Sequence, residues 1–215
     1  MDKNFVCSWS GGKDSCFATM QAIQQGYQPA VLLNVLNEAG KISRSHGIPA
    51  HILQQQANTI GLPIHLISSS WQDYESNFIA ALEHLKSTYQ LTHAVFGDID
   101  LQPHRDWEEK VCNNVQLEAV LPLWQQDRKA LVLQMLDAGI ETIIVSCNSV
   151  MGEPFLGKTL TPALIETIEA LGVDACGENG EFHTLVMNCP LFKNRIQVEF
   201  GEKLLHEGYW FLEMG

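Results

Sequence analysis

NFVCSWSGGKDS, residues 4–15, joins a short apolar run to a glycine turn, and a helical pattern follows over residues 16–25. A strand, a glycine turn and a helix in this order direct free backbone N–H groups and the positive end of the helix dipole at an anion. Gly11 and Gly12 let the backbone bend and approach a phosphate closely, and Lys13 adds a full positive charge. The segment therefore predicts a phosphate-binding loop at the start of an α/β fold.

The loop differs from the common phosphate-binding motifs. A Walker A loop needs four residues between its first glycine and its Gly-Lys pair, and no G-x-G-x-x-G occurs here either. Residues 10–15 instead resemble the pyrophosphate loop of the N-type ATP pyrophosphatases, which split ATP between the α and β phosphates. The hydroxyls of Ser10 and Ser15 can cap the helix or contact phosphate oxygens. The alternative is a glycine turn that opens an ordinary helix.

Composition and charge limit the classes of function. With 215 residues and 46% hydrophobic residues, the chain predicts a globular protein of one or two domains. The longest apolar runs are too short to span a bilayer, and no secretory signal is evident, so we expect a cytoplasmic protein. The six cysteines form no Cys-x-x-Cys pair, which argues for reduced thiols rather than a zinc site. A net charge of −12 argues against a nucleic-acid partner.

Strand and helix patterns alternate through the first part of the chain. This alternation predicts right-handed parallel crossovers, and hence a doubly wound α/β domain with strand order 3-2-1-4-5. From about residue 125, two helical patterns, a strand and two or three terminal strands predict a second, smaller α+β domain. We therefore divide the chain into residues 1–124 and residues 125–215. The predicted strands of the first domain cover residues 4–7, 29–36, 63–67, 93–96 and 118–121.

Ligands of such sheets bind beyond the carboxyl ends of the strands, where the strand order reverses. Gly97-Asp98-Ile99-Asp100 follows the fourth strand, next to the phosphate loop in the expected order. Asp98 and Asp100, together with Asp14, would suit Mg²⁺, which prefers hard oxygen ligands. The alternative is that these aspartates only end the strand and cap the next segment of the chain.

Two further polar segments begin helices at the same edge. His104 could transfer a proton near neutral pH, and Arg105 could bind a carboxylate or phosphate through two hydrogen bonds. Arg44 and His46 lie in a dense polar loop before Pro49, which predicts a loop that faces the substrate. A charged first turn and a solvated loop are the respective alternatives.

The last cluster lies at residues 177–184. Two glycines allow a tight turn that presents Glu178 and Glu181 together, with His183 close by. Paired carboxylates and an imidazole suit cation binding or general-base catalysis. A hairpin turn without chemistry is the alternative.

Together, residues 10–15, 97–100, 104–107 and 177–184 resemble the diphthine–ammonia ligase family over essentially the whole chain. The resemblance implies a HUP-type nucleotide domain followed by a smaller domain. It also implies an ATP-dependent amide ligase that activates a carboxylate as an acyl-adenylate, releases pyrophosphate and uses ammonia from solution. Asn179 stands where the family commonly has glycine. The loop around His46 also differs from the corresponding segment of the diphthamide branch, which contains aromatic residues and methionine. The chain resembles a compact, bacterial-looking subgroup for which diphthamide would not be the product.

This resemblance assigns expected roles. ATP and Mg²⁺ are the expected cofactors, with adenine near Val35 and the metal held by Asp14, Asp98 and Asp100. The acceptor would be a small-molecule or protein-borne carboxylate, and a homodimer is left open. An RNA-modifying enzyme of the same ATP chemistry and a non-catalytic nucleotide-binding protein are the alternatives. The phosphate-binding set is Ser10, Gly11, Gly12, Lys13, Asp14, Ser15 and Gly97. The catalytic set is Lys13, Asp98, His104, Arg105, Glu178, Glu181 and His183. The acceptor set is Arg44, His46 and Asn179.

Overall fold

The first half of the chain forms a parallel sheet covered by helices on both faces. The computed structural model describes residues 3–215. The strands are β1 Asn4–Ser8, β2 Gln28–Leu36, β3 Ile64–Ser68, β4 His93–Val95 and β5 Glu118–Val120. The connecting helices are α1 Lys13–Gln24, α2 Ala50–Ile60, α3 Tyr74–Tyr89 and α4 Gln102–Asn114. The strand order is β3-β2-β1-β4-β5 with parallel pairing throughout, so the predicted doubly wound fold is confirmed.

The second half forms an antiparallel sheet. Its helices are α5 Arg128–Asp137 and α6 Pro162–Ala170, with a short 3₁₀ turn at Glu153–Phe155. The strands β6 Glu141–Asn148, β7 Phe182–Asn188, β8 Phe200–His206 and β9 Tyr209–Met214 pair in the order β7-β6-β9-β8. This confirms the predicted α+β unit, whereas a division at residue 125 stays a prediction. Across residues 3–215, no helix combines the length and apolarity needed to cross a membrane.

Helix α1 begins three residues earlier than its apolar pattern indicates. Gly12 has extended backbone angles, φ −93° and ψ 176°, and Lys13 is the first helical residue. The polar first turn carries no apolar periodicity, which is why the pattern alone places the start too late. The phosphate loop therefore leads directly into the helix, as anion binding at a helix N-terminus requires.

The two sheets share one hydrophobic core. Buried Trp9 and Ile52 from the first unit belong to the same cluster as Ile144 and Val186 from the second. The Val186 N–H also donates to the Gly11 carbonyl at 2.9 Å, which fastens the phosphate loop to β7. The second unit is thus part of the wall behind the loop.

Gln56, fully buried on α2, joins three parts of this core. Its Oε1 accepts from Trp9 Nε1 at 2.8 Å. Its Nε2 donates to the carbonyl oxygens of Gly11 at 3.0 Å and Val186 at 2.9 Å. A buried amide whose donors and acceptor are satisfied in this way holds the loop and both sheets in one arrangement.

We expect Gln56→Leu to lower the free energy of unfolding by about 2–4 kcal/mol, because buried polar groups lose their partners. Thermal and urea unfolding would measure the change. Gln54→Leu on the same helix is the matched control, since exposed Gln54 bonds to the exposed side chain of Asn58. Equal effects of the two substitutions would contradict the role of Gln56.

Candidate functional site

A cavity of about 540 Å³, here called the cleft, opens between the two sheets. The loops after β1 and β4 form one side, and the turn before β7 forms the other. The structure therefore brings together segments from distant parts of the sequence. The predicted residues that line the cleft are Ser10, Lys13, Asp14, Ser15, His46, Gly97, Asp98, His104, Glu178, Asn179 and His183.

Lys13 lies at the base of the cleft and is only 2% exposed. Its Nζ donates to the Asp14 carboxylate at 2.9 Å and to the Cys176 carbonyl at 2.6 Å. Burial alone would lower the pKa of Lys13, but the charge of Asp14 and other neighbours raises it above its ordinary value. The ammonium group therefore stays charged beside the phosphate loop.

Thr184, on β7 of the second sheet, bonds to residues at and beside the phosphate loop. Its Oγ1 accepts from the Lys13 backbone N–H at 3.1 Å, and its carbonyl accepts from His46 Nδ1 at 2.9 Å. A Cβ on Gly12 would lie 2.5 Å from the His46 ring, so only glycine fits there. The rings of His46 and His183 are 4.5 Å apart. Burial is the main cause that lowers both histidine pKa values, and each ring favours its neutral form.

Asp98, His104 and Glu108 form a connected group at the opposite side. His104 and Glu108 are four residues apart on α4, so both face Asp98. His104 Nδ1 donates to Asp98 Oδ1 at 2.6 Å, and this bond raises the pKa of His104. Burial would raise the pKa of Asp98, but hydrogen bonds with His104 and Glu108 lower it. Burial and the neighbouring Asp98 raise the pKa of Glu108 to about 11, so Glu108 is a neutral acid.

Glu178 reaches into the cleft from the second unit. Its Oε1 accepts from the Ile99 backbone N–H at 2.9 Å, which ties the turn to the loop after β4. Burial is the main cause that raises the pKa of Glu178 to about 7. At neutral pH this carboxyl group can therefore both accept and release a proton.

A smaller cavity of about 130 Å³, here called the side pocket, lies beside the phosphate loop and contains Val35 and Arg44 in its wall. Asn34 also lines it, and its Nδ2 donates to the Trp9 carbonyl at 2.8 Å. Among the described residues, neither Asn34 Oδ1 nor Arg44 Nε has a hydrogen-bond partner, although both atoms are buried. Such atoms are the ones that a bound ligand would satisfy.

Three residues predicted to act in catalysis or metal binding lie outside the cleft. Both carboxylate oxygens of Asp100 accept from Arg128, so the expectation that Asp100 faces the phosphate loop is wrong. Arg105 pairs with Glu109 at 2.7 Å and its guanidinium lies over the Trp124 ring. Glu181 accepts from the backbone N–H of Asn179 at 3.1 Å and stabilises the turn. Gly11 and Gly12 contribute backbone atoms to the phosphate loop between β1 and α1.

Several residues that line the cleft have no role predicted from the sequence, although Trp107 lies within the motif of residues 104–107. Glu108 resembles an ordinary helix charge, and only its four-residue spacing from His104 could have indicated its position. Trp71, Tyr74 and Trp107 form an aromatic wall with ring centroids 5.6 Å apart at each step. Trp71 is 70% exposed, so it is not the packing residue that a tryptophan usually is. The segment after β3 is a strand end, which is the signal that could have identified Trp71 and Tyr74.

The carboxylates fit a metal that arrives with a nucleotide. Among residues 3–215, no group of three or more potential ligands could hold a metal ion by itself. Mg²⁺ commonly uses one or two carboxylates together with phosphate oxygens and water. Asp14 and Asp98 line the same cleft and match that smaller requirement.

The chain matches both parts of one protein family. The family described as the diphthamide synthase N-terminal domain matches residues 3–119, and the one described as the diphthamide synthase C-terminal domain matches residues 127–215. Diphthine–ammonia ligase of Mus musculus is 28% identical over 222 residues, which covers 92% of this chain and 83% of the mouse protein. The Danio rerio enzyme of the same name is 28% identical over 232 residues, covering 96% of this chain and 90% of the fish protein.

Among solved structures, a predicted subunit of tRNA methyltransferase from Methanocaldococcus jannaschii superimposes with a TM-score of 0.47 at 17% identity. That match covers 91% of this chain and 100% of the other. The two family matches and the ligase relatives confirm the resemblance drawn from the motifs. The chain belongs to the diphthamide synthase family and is an ATP-dependent ligase that forms a carbon–nitrogen bond.

Proposed function

We propose that the cleft activates a carboxylate as an acyl-adenylate and then amidates it with ammonia. An acceptor oxygen attacks the α-phosphorus of ATP, and pyrophosphate leaves. Ammonia then attacks the acyl carbon, AMP leaves, and the amide and one proton remain. The observation that carries this proposal is that Lys13 at the start of α1 and Glu178 in the turn before β7 line one cleft.

The nucleotide half uses the phosphate loop and the side pocket. The backbone of Gly11 and Gly12 and the ammonium group of Lys13 hold the β and γ phosphates, with Ser10, Ser15 and Gly97 around them. Adenine occupies the side pocket near Val35, where Asn34 Oδ1 accepts a hydrogen bond from its amino group. Arg44 and His46 line this pocket, so we assign them to its wall. Fixed charge and positioning account for most of the expected rate enhancement.

Asp14 and Asp98 would hold Mg²⁺ when the nucleotide is bound. The ion would neutralise charge on the leaving pyrophosphate. Asp98 suits this role because its neighbours keep it ionised. Asp100 is not included, since Arg128 occupies both of its oxygens.

The amidation half uses Glu178 as general base. Its carboxylate accepts the proton that the nitrogen loses during attack on the acyl carbon. Glu181 acts indirectly, by holding the Asn179 turn, and neutral His183 contributes a hydrogen bond to the acceptor. His104 keeps Asp98 in place, and Arg105 supports α4 through Glu109.

The acceptor enters along the aromatic wall and the turn that carries Asn179. The names of the relatives identify diphthine as the first acceptor to test, with ammonia as the nitrogen donor. The expectation that a bacterial-looking subgroup makes another product stays a prediction, and so do the homodimer and the cytoplasmic location.

The RNA-modifying alternative is not favoured. A net charge of −12 opposes it, and a filter-binding assay with bulk tRNA would test it.

The reaction products test the proposed chemistry directly. With ATP, Mg²⁺, ammonium and a diphthine-containing protein or other carboxylic acids, we expect AMP and pyrophosphate in equal amounts. ADP and phosphate as products would contradict the proposed chemistry.

Lys13→Met should lower kcat by about 100-fold or more, because a charge that stabilises the leaving group is lost. Lys110→Met is the control, since exposed Lys110 pairs with Glu75 on the neighbouring helix.

The pH dependence tests Glu178. At a constant concentration of unprotonated ammonia, we expect amide formation to rise with pH through about 7 and then level, because the base must be ionised. Glu178→Gln should slow amide formation and remove this inflection, whereas Glu181→Gln should keep it.

The stability of the fold should also depend on Glu178, because a raised carboxyl pKa destabilises the fold as the group ionises. Relative to Glu178→Gln, the wild type should therefore lose stability between pH 4.5 and about 7 in thermal melts. An unchanged inflection in Glu178→Gln would exclude Glu178 as the base.

The side pocket can be tested by nucleotide binding. Asn34→Leu should weaken ATP binding by about tenfold, because a buried acceptor for the adenine amino group is removed. Binding of GTP should change much less, and calorimetry with both nucleotides would measure the difference. Asn113→Leu, at an exposed position on α4, is the matched control. Equal weakening of ATP and GTP binding would argue against adenine in this pocket.

A further inference from the structure

A closed ring of hydrogen bonds joins the loop after β4 to the turn before β7, and Arg128 is its centre. Arg128 Nε donates to Asp100 Oδ2 at 2.8 Å, and Nη2 donates to Oδ1 of the same carboxylate. Arg128 Nη1 donates to Asp174 Oδ2 at 3.0 Å, which also accepts from the Glu178 backbone N–H at 2.7 Å. Glu178 Oε1 accepts from the Ile99 N–H at 2.9 Å. The peptide bond between Ile99 and Asp100 closes the ring.

Cys176 attaches the same turn to Arg128 a second time. Its Sγ donates to the Arg128 carbonyl at 2.9 Å, and its N–H donates to Asp174 Oδ1 at 3.3 Å. The Arg128 side chain thus orders the start of the turn, and the end of the turn carries Glu178 into the cleft. Arg128 itself lies outside the cleft and must act through these neighbours.

The chemistry of this position requires a guanidinium group. Its planar set of donors bonds one carboxylate through two atoms and still reaches a second, whereas an ammonium group is a single point charge. The side chains of Arg128 and Asp174 are only 23% and 11% exposed, so water cannot fully replace these bonds. Without Arg128, Asp100 and Asp174 would repel each other across the gap that the ring now closes.

We propose that Arg128 is a positioning residue for amidation, which holds the Glu178 carboxylate over the cleft by joining Asp100 to Asp174. The proposal rests on the role assigned to Glu178 above. It accounts for an arginine at the start of α5 that the nucleotide chemistry does not use. It also explains why the Asp100 carboxylate binds Arg128 and is not free to bind a metal ion.

Thiol labelling tests the positioning without any activity assay. All six cysteines are buried and free, and Cys176 is 2% exposed. In Arg128→Met the turn should open, and a maleimide should label Cys176 at least about tenfold faster than in the wild type, as peptide mass mapping would show. Lys129→Met is the matched control, because neighbouring Lys129 is exposed and pairs with Glu169 on α6. Unchanged labelling of Cys176 in Arg128→Met would overturn the proposal. Asp174→Asn serves the same purpose if Arg128→Met does not fold.

A kinetic cycle tests the link to Glu178. Arg128→Met should lower kcat for amide formation by about 100-fold in the wild-type background, the scale of a misplaced catalytic group. In the Glu178→Gln background the same change should cost less than about threefold, because the group being positioned is already absent. Arg128→Lys should recover part of the rate. Equal losses in both backgrounds would show a general structural role and overturn the proposal.

The two experiments separate this proposal from the function on which it rests. A wild-type protein that releases no AMP and pyrophosphate with any acceptor would contradict the proposed function. Cys176 labelling would still support or overturn the positioning of the turn by Arg128 in that case.

Discussion

The buried ammonium group of Lys13 is the constraint on which the rest of the structure depends. A charge that is almost fully removed from water requires close partners, since desolvation without them costs several kcal/mol. Asp14 supplies one partner from the same helix, and the Cys176 carbonyl supplies the other from the second unit. The phosphate loop is therefore complete only when the antiparallel sheet lies against the parallel one.

The contacts around the phosphate loop come from both sheets, which share one of the two hydrophobic clusters of the described residues. Gln56, Thr184 and the Val186 backbone each bond to the phosphate loop or to the residues beside it. A doubly wound sheet leaves its ligand edge open at the carboxyl ends of its strands. Here the second unit covers that edge and adds Glu178 and His183 to the lining. The phosphate loop of the first unit and Glu178 of the second thus line a single cleft.

The cleft separates its carboxyl groups into distinct chemical states. His104 helps to keep Asp98 ionised, burial keeps Glu108 protonated, and Glu178 has a pKa of about 7. These three side chains have similar ordinary pKa values, so the difference comes from burial and neighbours. One cleft thus contains an ionised carboxylate, a neutral acid and a carboxyl group that titrates near neutral pH.

The sequence by itself determined the order of strands and helices, the strand order of the first sheet, the phosphate loop and the family. These features depend on apolar periodicity, glycine positions and motifs of a few residues, which are local. Only the tertiary structure decided that Asp98 enters the cleft while Asp100 binds Arg128, and that Glu108 is buried on a helix whose other charges are largely solvated. Those outcomes depend on contacts between segments far apart in the chain, such as the bond between Glu178 and Ile99. Small changes in side-chain direction there separate a carboxylate that lines the cleft from one held in an ion pair, and local patterns carry no information about such contacts.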